Sequence, residues 1–309
     1  MLAGLSAARK SLPPKLFYDA HGAWLFTRIC TTPAYYPTRT ETGILRRCAR
    51  EIAQAIGPGA TLIEPGAGDM RKVRLLLPAV RPSAYVPVDI SIDQLRTEAR
   101  LLAHEHPWLA ITAIAADFHD PALQPLIAAH GGRRVLFFPG STIGNFEPAQ
   151  ARDFLARARA LLGPGGAVLL GVDLQKPAAV LDLAYNDPEG YTARFNLNLL
   201  ARLNREVGAR FDLAAFTHRA GYNEAAQRIE MHLVSRCAQT VEVAGQPIAF
   251  GAGETIHTEN SYKYTPEGVK RMARAAGFAT CRPWTDPAGW FGVFLLGSGT
   301  GASRAGNAR

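Results

Sequence analysis

The chain has 309 residues, 48% of them hydrophobic, and so contains enough apolar material for one large or two modest globular domains. Its formal net charge is +8, but the basic residues are dispersed without interleaved aromatic residues, which argues against a nucleic-acid-binding surface. No apolar run reaches the roughly 18 residues of a membrane span, and Met1–Lys15 lacks the apolar core of a secretion signal. The cysteines never form a CxxC pair, so we expect reduced thiols in a cytoplasmic protein without a metal site.

The N-terminal part of the chain, residues 1–39, is rich in proline and aromatic residues, notably in Ser11–Tyr18 and Pro33–Arg39. Such segments pack as ordered arms, often over a site. A helix is predicted from Glu41 to Ile56, because apolar residues recur there at helical spacing, and Thr40 is its expected N-terminal cap.

Strands and helices then alternate as far as Asp173. The predicted strands are Thr61–Glu64, Ala84–Asp89, Ile111–Ala115, Arg134–Phe138 and Ala167–Asp173. The predicted helices between them are Lys72–Ala79, Ile92–Glu105, Pro121–Ala129 and Ala149–Leu162. This alternation predicts an α/β protein with a doubly wound parallel sheet and helices on both of its faces.

The alternation ends after Asp173. The next segments are a mostly helical stretch at 176–228, extended stretches at 229–243 and 248–264, a helix at Glu267–Ala276 and a last strand at Trp290–Leu296. We therefore expect a nucleotide-binding core formed by residues 40–175 plus 264–296. Residues 1–39 plus 176–263 would form a second, smaller substrate-binding domain, and residues 297–309 a disordered tail.

A glycine-lined turn follows the first strand in the segment Glu64-Pro65-Gly66-Ala67-Gly68. Glycines at this place let a ligand approach the backbone where a Cβ atom would clash. A dinucleotide-binding turn has a third glycine, whereas this chain has Arg71 at that position. The Glu64 carboxylate would repel a pyrophosphate but suits an ammonium group or a ribose hydroxyl, both of which S-adenosyl-L-methionine contains.

Two further strand ends support this cofactor. Asp89 ends the second strand, where an acidic side chain can accept hydrogen bonds from both ribose hydroxyls. Asp117 and Phe118 follow the third strand, where the carboxylate can accept from the adenine amino group while the ring lies against the base. Because these features occur at three consecutive strand ends, the sequence predicts an S-adenosyl-L-methionine site.

The fourth strand runs into the segment Phe137–Asn145, at the switch point where substrates bind in open α/β sheets. Asn145 offers one acceptor and two donors, which suits an amino-acid head group, although a simple turn residue is the alternative. The segment lacks the Asn/Asp-Pro-Pro-aromatic pattern of enzymes that methylate nucleic-acid bases. It also lacks the acidic residues that an aminopropyl transferase of the same fold would require.

Five segments carry a family resemblance: Ser11–Asp19, Tyr35–Glu41, Gly140–Asn145, Arg228–Met231 and Thr285–Gly289. Over about residues 9–296 the chain resembles the histidine Nα-methyltransferase family of ergothioneine biosynthesis. The similarity includes the arm and the insertion, which ordinary methyltransferases lack. It implies an enzyme that uses S-adenosyl-L-methionine to methylate the α-amino nitrogen of L-histidine as far as the trimethylated product, hercynine.

The resemblance also implies roles for individual residues. The cofactor contacts of the family correspond to Gly66, Lys72, Asp89, Asp117 and Phe118. Its substrate-binding residues correspond to Tyr35, Asn145, Tyr185, Met231, Glu259 and Ser261. Of these, Asn145 and Tyr185 would hold the amino-acid head group, and Tyr35, Glu259 and Ser261 would recognise the imidazole. Tyr18 corresponds to a tyrosine near the reacting amine.

The chemistry of these residues agrees with the implied roles. Glu259 and Ser261 are two positions apart, so on an extended strand both face one side, where they can satisfy the two imidazole nitrogens. Positioning of the substrate by Asn145 and Tyr185 is the main catalytic contribution that we predict. Tyr18, acting through a water molecule, is our hypothesis for the proton acceptor.

Two alternatives stay open at this point. One is another aromatic amino acid as acceptor, such as tryptophan, although the carboxylate of Glu259 favours imidazole over indole. The other is a non-catalytic regulatory protein that retains the fold. We expect small-molecule ligands, no nucleic acid or membrane partner, and a monomer, because one chain supplies all the substrate-binding residues.

Overall fold

The structure is a computed structural model, and it describes residues 1–118, 120 and 122–299. Its helices are α1 (Leu2–Leu5), α2 (Ala20–Ile29), α3 (Tyr36–Ile56), α4 (Arg71–Val80), α5 (Ile92–Glu105), α6 (Leu123–Ala128), α7 (Pro148–Leu162), α8 (Ala178–Tyr185), α9 (Tyr191–Val207) and α10 (Pro266–Ala275). Its strands are β1 (Lys10–Ser11), β2 (Thr61–Pro65), β3 (Ala84–Asp89), β4 (Ala110–Ile111), β5 (Ile114–Ala115), β6 (Arg134–Phe138), β7 (Ala167–Asp173), β8 (Phe216–Asn223), β9 (Arg228–Ser235), β10 (Gln239–Val243), β11 (Gln246–Phe250), β12 (Thr255–Tyr262), β13 (Thr280–Thr285) and β14 (Phe291–Gly297). Within the described residues, no helix is both long and apolar enough to cross a membrane.

The chain divides into two compact units. The first unit comprises Met1–Arg39, Gly144–Phe146 and Gln175–Lys263, and the second comprises Thr40–Ile143, Glu147–Leu174 and the chain from Tyr264 to the end of the described residues. The separate functions expected for a core and a substrate-binding domain stay predictions. Of the tail expected at 297–309, residues 300–309 lie outside the described residues, and residue 297 is the last residue of β14.

The second unit is built on a sheet with the strand order β13-β14-β7-β6-β2-β3-β4, in which β5 also pairs with β3. The pairs from β3 to β7 are parallel, whereas β14 is antiparallel to both β7 and β13. The predicted α/β fold with a doubly wound sheet is confirmed, and two antiparallel strands complete one edge. The order reverses between β2 and β6, which makes their carboxyl ends the switch point where ligands bind in such sheets.

The inner strands of this sheet explain why the sequence there consists of short apolar runs. Every residue of β2 and of β7 is buried. Continuous apolar runs of this kind are typical of parallel strands that are covered on both faces. Directly after β2, Gly66 and Gly68 have φ values of +64° and +52°. Glycine adopts this left-handed region readily, so the chain turns sharply at the carboxyl end of the sheet.

The start of α3 and the third strand differ from the prediction. Helix α3 begins at Tyr36 because Pro37 is compatible with the first turn of a helix, so Thr40 lies inside the helix and is not its cap. The strand expected at Ile111–Ala115 is two separate two-residue strands, β4 and β5, at the edge of the sheet.

Three strands were missed, and they are the two-residue β1 in the N-terminal arm, β8 and β13. Strand β8 lies in the stretch that was predicted to be mostly helical, and it pairs with β9 along its whole length. Its residues are mostly half-buried or exposed, so its apolar pattern is weak and pairing with a distant segment decides its conformation. Strand β13 is an edge strand with mostly exposed residues. It contains Pro283, and a proline argues against a strand when only the sequence is considered.

The first unit contains a four-stranded sheet with the order β1-β12-β9-β8 and a separate β10-β11 hairpin. The N-terminal arm packs on α9 through Asp19, which caps α2 by accepting a hydrogen bond from the Gly22 amide at 2.7 Å. The same Oδ1 atom accepts a second bond, at 2.8 Å, from Asn198 of α9. This anchor fixes the position of the arm directly after Tyr18.

A collision test follows from the packing of Gly171 in β7. A Cβ atom there would collide with Glu41 Oε1 and would lie 3.1 Å from the Gly140 nitrogen. We expect Gly171→Ala to lower the free energy of unfolding by about 1–3 kcal/mol, the usual cost of overpacking. Gly43→Ala is the matched control, because a Cβ atom at Gly43 would meet nothing within 4 Å. Equal stability of the two variants in chemical denaturation would contradict the described packing.

Candidate functional site

The glycine turn and Asp89 are joined directly in the second unit. The Gly68 amide donates a hydrogen bond of 3.1 Å to Asp89 Oδ2, and the Ser91 amide donates one of 2.9 Å to Oδ1. The Gly66 amide donates to the Val88 carbonyl at 2.8 Å. The carboxylate therefore lies beside the turn at the carboxyl ends of two adjacent strands. A Cβ atom at Gly66 would meet nothing within 4 Å, so the turn leaves room for a ligand.

Asp117 and Phe118 lie at the carboxyl end of the next strand. Asp89 pairs with Ala115 of β5, and the exposed Asp117 follows two residues later. The half-buried Phe118 ring packs against Phe154 of α7, with 5.9 Å between the ring centroids. The turn, an acidic side chain and an aromatic ring thus mark three adjacent strand ends, an arrangement that fits a nucleoside-containing ligand.

Lys72 is held by a buried carboxylate. Its Nζ atom lies 2.6 Å from Glu41 Oε2, and Glu41 is 1% exposed. The Gly140 amide, two residues after the end of β6, donates to both oxygens of Glu41 at 2.9 and 3.0 Å. Lys72 is thereby fixed near the exit of β6. The sequence did not identify Glu41 as part of the site, although its position on the apolar stripe of α3, three and four residues before Ile44 and Leu45, indicates burial.

Glu64 has a different place from the one expected. Its carboxyl group is 3% exposed and accepts a hydrogen bond of 2.5 Å from the hydroxyl of Tyr85 on the neighbouring strand. Burial raises the pKa of Glu64 to about 8, although the Tyr85 hydrogen bond and the charge of Lys72 oppose the increase. The group is therefore engaged inside the sheet and does not offer an exposed carboxylate to a ligand.

In the first unit, a β-bulge in β12 decides which side chains face the interior. The register shifts between His257 and Glu259, and beyond the shift Glu259 lies opposite Met231 and Ser261 opposite Ile229. Directly opposed residues share one face of a sheet, and both partners on β9 are buried. The bulge therefore turns Glu259 and Ser261 together toward the interior, which is the shared face that their spacing predicts.

Tyr185 joins this face from the end of α8. Its hydroxyl donates a hydrogen bond of 2.7 Å to Ser261 Oγ. Its carbonyl oxygen accepts one of 2.9 Å from His218 Nε2, whose other ring nitrogen accepts from the Asn196 amide at 2.9 Å. A carbonyl can only accept, so His218 carries its proton on Nε2, and burial lowers the pKa of this histidine. A neutral histidine thus anchors the end of the helix that carries Tyr185.

The arm adds a run of aromatic rings in edge-to-face contact. Tyr18 meets Phe26 and Phe195 at centroid distances of 5.8 Å each. Phe26 meets Tyr35 at 6.3 Å, and Tyr35 meets Tyr185 at 6.2 Å. The structure therefore brings Tyr18, Tyr35 and Tyr185 together. Phe26 and Phe195 were not predicted as site residues, because single aromatic residues at helical spacing are ordinary packing residues.

Burial controls the charge of the acidic groups at this place. Glu259 is 8% exposed, and burial raises its pKa to about 7 against the opposing charge of Lys263. Tyr18 keeps 39% of its surface accessible, and partial burial together with the Glu259 carboxylate raises its pKa. Burial also raises the pKa of Tyr35. Both phenols therefore stay protonated and uncharged near neutral pH.

Asn145 is the remaining predicted residue. It ends a short 3-10 helix, Thr142–Asn145, and is half-buried. Gly144–Phe146 belong to the first unit, the unit that contains the other predicted substrate-binding residues. The predicted cofactor residues all belong to the second unit. Within the described chain, no group of three or more His, Cys, Asp or Glu side chains is placed to hold a metal ion.

The raised pKa of Glu64 predicts a pH-dependent stability. The Glu64 carboxyl has an ordinary pKa of 4.5 in the unfolded chain and a pKa of about 8 in the folded protein. Its contribution to stability is therefore fully present below pH 4.5 and is lost as the pH rises to about 8. Glu64→Gln keeps an acceptor for Tyr85 without a charge. We expect the free energy of unfolding, measured by thermal unfolding, to fall between about pH 5 and pH 8.5. The decrease for the native protein should exceed that for the variant by roughly 1–4 kcal/mol.

The surface variant Glu267→Gln serves as the control for this measurement, because the Glu267 side chain is 67% exposed. It is expected to follow the native protein at every pH. If Glu64→Gln also does so, the burial of a proton-holding carboxyl at this position is contradicted.

Comparison with known proteins identifies the family. A family model described as histidine-specific, SAM-dependent methyltransferase matches residues 1–298. The histidine N-alpha-methyltransferases of Mycolicibacterium smegmatis and Mycobacterium tuberculosis are 46% and 43% identical, over 95% and 94% of this chain and 92% of each relative. Ergothioneine biosynthesis protein 1 of Neurospora crassa is 32% identical over 89% of this chain and 32% of its own length. The resemblance seen in the sequence is confirmed, and the chain belongs to the family of histidine-specific, S-adenosylmethionine-dependent methyltransferases.

Proposed function

We propose that this enzyme transfers methyl groups from S-adenosylmethionine to the α-amino nitrogen of L-histidine, in repeated rounds as far as the trimethylammonium product, within ergothioneine biosynthesis. The observation that carries the proposal is the convergence of side chains on the buried carboxylate of Glu259. Met231 lies opposite this residue, and the Tyr18 and Tyr35 hydroxyls interact with its charge. The names of the mycobacterial relatives supply the amino acid.

The proposed substrate-binding residues suit an imidazole ring better than an indole ring. Imidazole has two ring nitrogens, one that donates and one that accepts when the ring is neutral, whereas indole has a donor only. Glu259 and Ser261 lie on one face of β12 and provide an acceptor and a hydroxyl. Indole would offer no acceptor to the proton of this hydroxyl and would place a larger ring against Met231. Histidine is therefore the favoured acceptor over tryptophan.

The second unit contains the residues that would hold the cofactor. Asp89 can accept from ribose hydroxyls beside the Gly66 turn, and Asp117 with Phe118 can hold the adenine. Lys72, fixed by Glu41, is the cation among the predicted contacts, and its Nζ atom lies beside Gly140 after β6. When bound, S-adenosylmethionine supplies a methyl group on a sulfonium, a good leaving group, so the reaction needs chiefly alignment.

The chain must present a neutral amine, because the nitrogen lone pair is the nucleophile. We propose that Asn145 holds the amino-acid head group and thereby aligns this nitrogen, as the rigid amide can donate to a carboxylate. The hydroxyl proton of Tyr185 is directed to Ser261, so Tyr185 can approach the substrate amine only as an acceptor. The raised pKa of Tyr18 makes phenolate an unsuitable base, so we assign its hydroxyl oxygen as an acceptor for an N–H of the amine, which leaves the nitrogen lone pair available for attack. Each round then releases its proton to water.

We further propose that the active protein is a monomer and that it works in the cytoplasm. The predicted acceptor residues and the predicted cofactor residues all come from this chain. Within the described residues no disulfide joins any of its four cysteines, and one of them, Cys237, is exposed, which suits a reducing compartment. Sedimentation of the active protein as a dimer would contradict the first statement.

Removal of the Asn145 amide tests the head-group assignment. We expect Asn145→Ala to lower kcat/KM for histidine roughly 10- to 100-fold, as for a lost hydrogen bond to a charged group. The affinity for S-adenosylhomocysteine, measured by calorimetry, should stay unchanged. Asn223→Ala, at the end of β8, is the control and should leave both quantities unchanged. Loss of cofactor affinity in Asn145→Ala would refute the assignment.

Removal of the Glu259 carboxylate tests imidazole recognition. We expect Glu259→Ala to raise the KM for histidine roughly 10- to 100-fold, because a buried charge-assisted hydrogen bond is lost. The exposed Glu242 gives the control variant Glu242→Ala. Calorimetric titration of the native protein with histidine, tryptophan and histamine in the presence of S-adenosylhomocysteine should detect histidine binding most strongly. An unchanged KM, or tighter binding of tryptophan, would reject this role.

A further inference from the structure

Lys263 directly follows β12 and is 3% exposed, a rare environment for a lysine. Its Nζ atom donates a hydrogen bond of 2.8 Å to Ser261 Oγ and one of 3.1 Å to the Tyr185 hydroxyl. The Tyr185 hydroxyl in turn donates to Ser261 at 2.7 Å, so the three groups form a closed triangle. The ammonium group also lies 4.8 Å from the centroid of the Tyr185 ring.

The direction of these bonds determines what Ser261 can offer to a ligand. An ammonium group only donates, and a phenol is a stronger acid than an alcohol, so Tyr185 donates to Ser261 and not the reverse. The serine oxygen has two lone pairs, and these accept from Lys263 and from Tyr185. The capacity that remains at this hydroxyl is its own proton. Ser261 is therefore a donor toward any further partner.

We propose that Lys263 is a positioning residue that fixes Ser261 as a hydrogen-bond donor and thereby selects the neutral form of the imidazole. This inference rests on the proposed function. Glu259 accepts the N–H of one ring nitrogen, and Ser261 donates to the lone pair of the other. An imidazolium has no such lone pair, so its second N–H would meet the Ser261 proton. Without Lys263, a lone pair of Ser261 is released and the hydroxyl can turn either way.

The electrostatics of the strand agree with this role. Glu259, Ser261 and Lys263 alternate along one segment, so all three extend to the same side. The charge of Lys263 lowers the pKa of Glu259 against the larger effect of burial, which keeps a greater fraction of the carboxylate ionised as an acceptor. One lysine thus favours an acceptor at Glu259 and a donor at Ser261.

A double-mutant cycle tests the proposal. Histidine affinity is measured by calorimetry, with S-adenosylhomocysteine present, for the native protein, Lys263→Met, Ser261→Ala and the double variant. We expect Lys263→Met and Ser261→Ala each to weaken histidine binding about tenfold, as for one lost hydrogen bond. Because Lys263 acts through Ser261, the double variant should stay within about twofold of the weaker single variant. Affinity for S-adenosylhomocysteine should be unchanged in all of them.

The outcomes separate the two hypotheses. If the native protein does not bind histidine, the proposed function fails. If it binds histidine and Lys263→Met binds equally well, or if the two losses multiply in the double variant, the role of Lys263 is overturned and the proposed function stands. Lys270→Met, at the partly exposed Lys270, is the control for a lysine-to-methionine change. If circular dichroism shows that Lys263→Met does not fold, Lys263→Gln takes its place in the same cycle.

Discussion

A carboxylate that leaves water must regain most of its lost solvation from the protein, and three buried glutamates of this chain do so in different ways. Glu41 has the ammonium of Lys72 and the amide of Gly140. Glu64 has the Tyr85 hydroxyl and a pKa raised to about 8, so it is largely protonated at neutral pH. Glu259 has a pKa of about 7, so both its charged and its neutral form are populated near neutral pH. Glu41 and Glu64 belong to the second unit and Glu259 to the first, so each unit contains a buried glutamate whose surroundings determine its charge or its contacts.

The protein replaces only part of the solvation that the Glu259 carboxylate loses on burial, which suits a ligand with an N–H group. A partner that donates to this carboxylate would favour its ionised form, so binding and ionisation would support each other. The tyrosine hydroxyls around it are protonated and contribute donors without adding charge. Glu41 has a different role in the second unit, because it contacts the Lys72 ammonium and the Gly140 amide and thereby fixes Lys72 near the exit of β6. In the proposed function, acceptor recognition and cofactor support thus depend on the same desolvation effect.

The sequence predicted most of the second unit, because local patterns determine it. Apolar runs predict the parallel strands, and the proposed cofactor site is indicated by the glycines after β2, the acidic residue that ends β3 and the acidic residue after β5. The residues of the first unit were assigned through family resemblance, since Tyr185 and Glu259 have no local signal for histidine. The bulge in β12, the strand β8 and the contact between Glu41 and Lys72 depend on pairing between distant segments. Lys263 was missed, although its spacing of two from Ser261 places it on the face already identified.

The measurement that tests the central claim most directly is structural analysis of the product. The purified chain is incubated with S-adenosylmethionine and L-histidine, and the product is examined by mass spectrometry and by nuclear magnetic resonance. Our account predicts three methyl groups on the α-amino nitrogen and an unmodified imidazole ring. Methylation of a ring nitrogen, or faster methylation of tryptophan or histamine than of histidine, would contradict it.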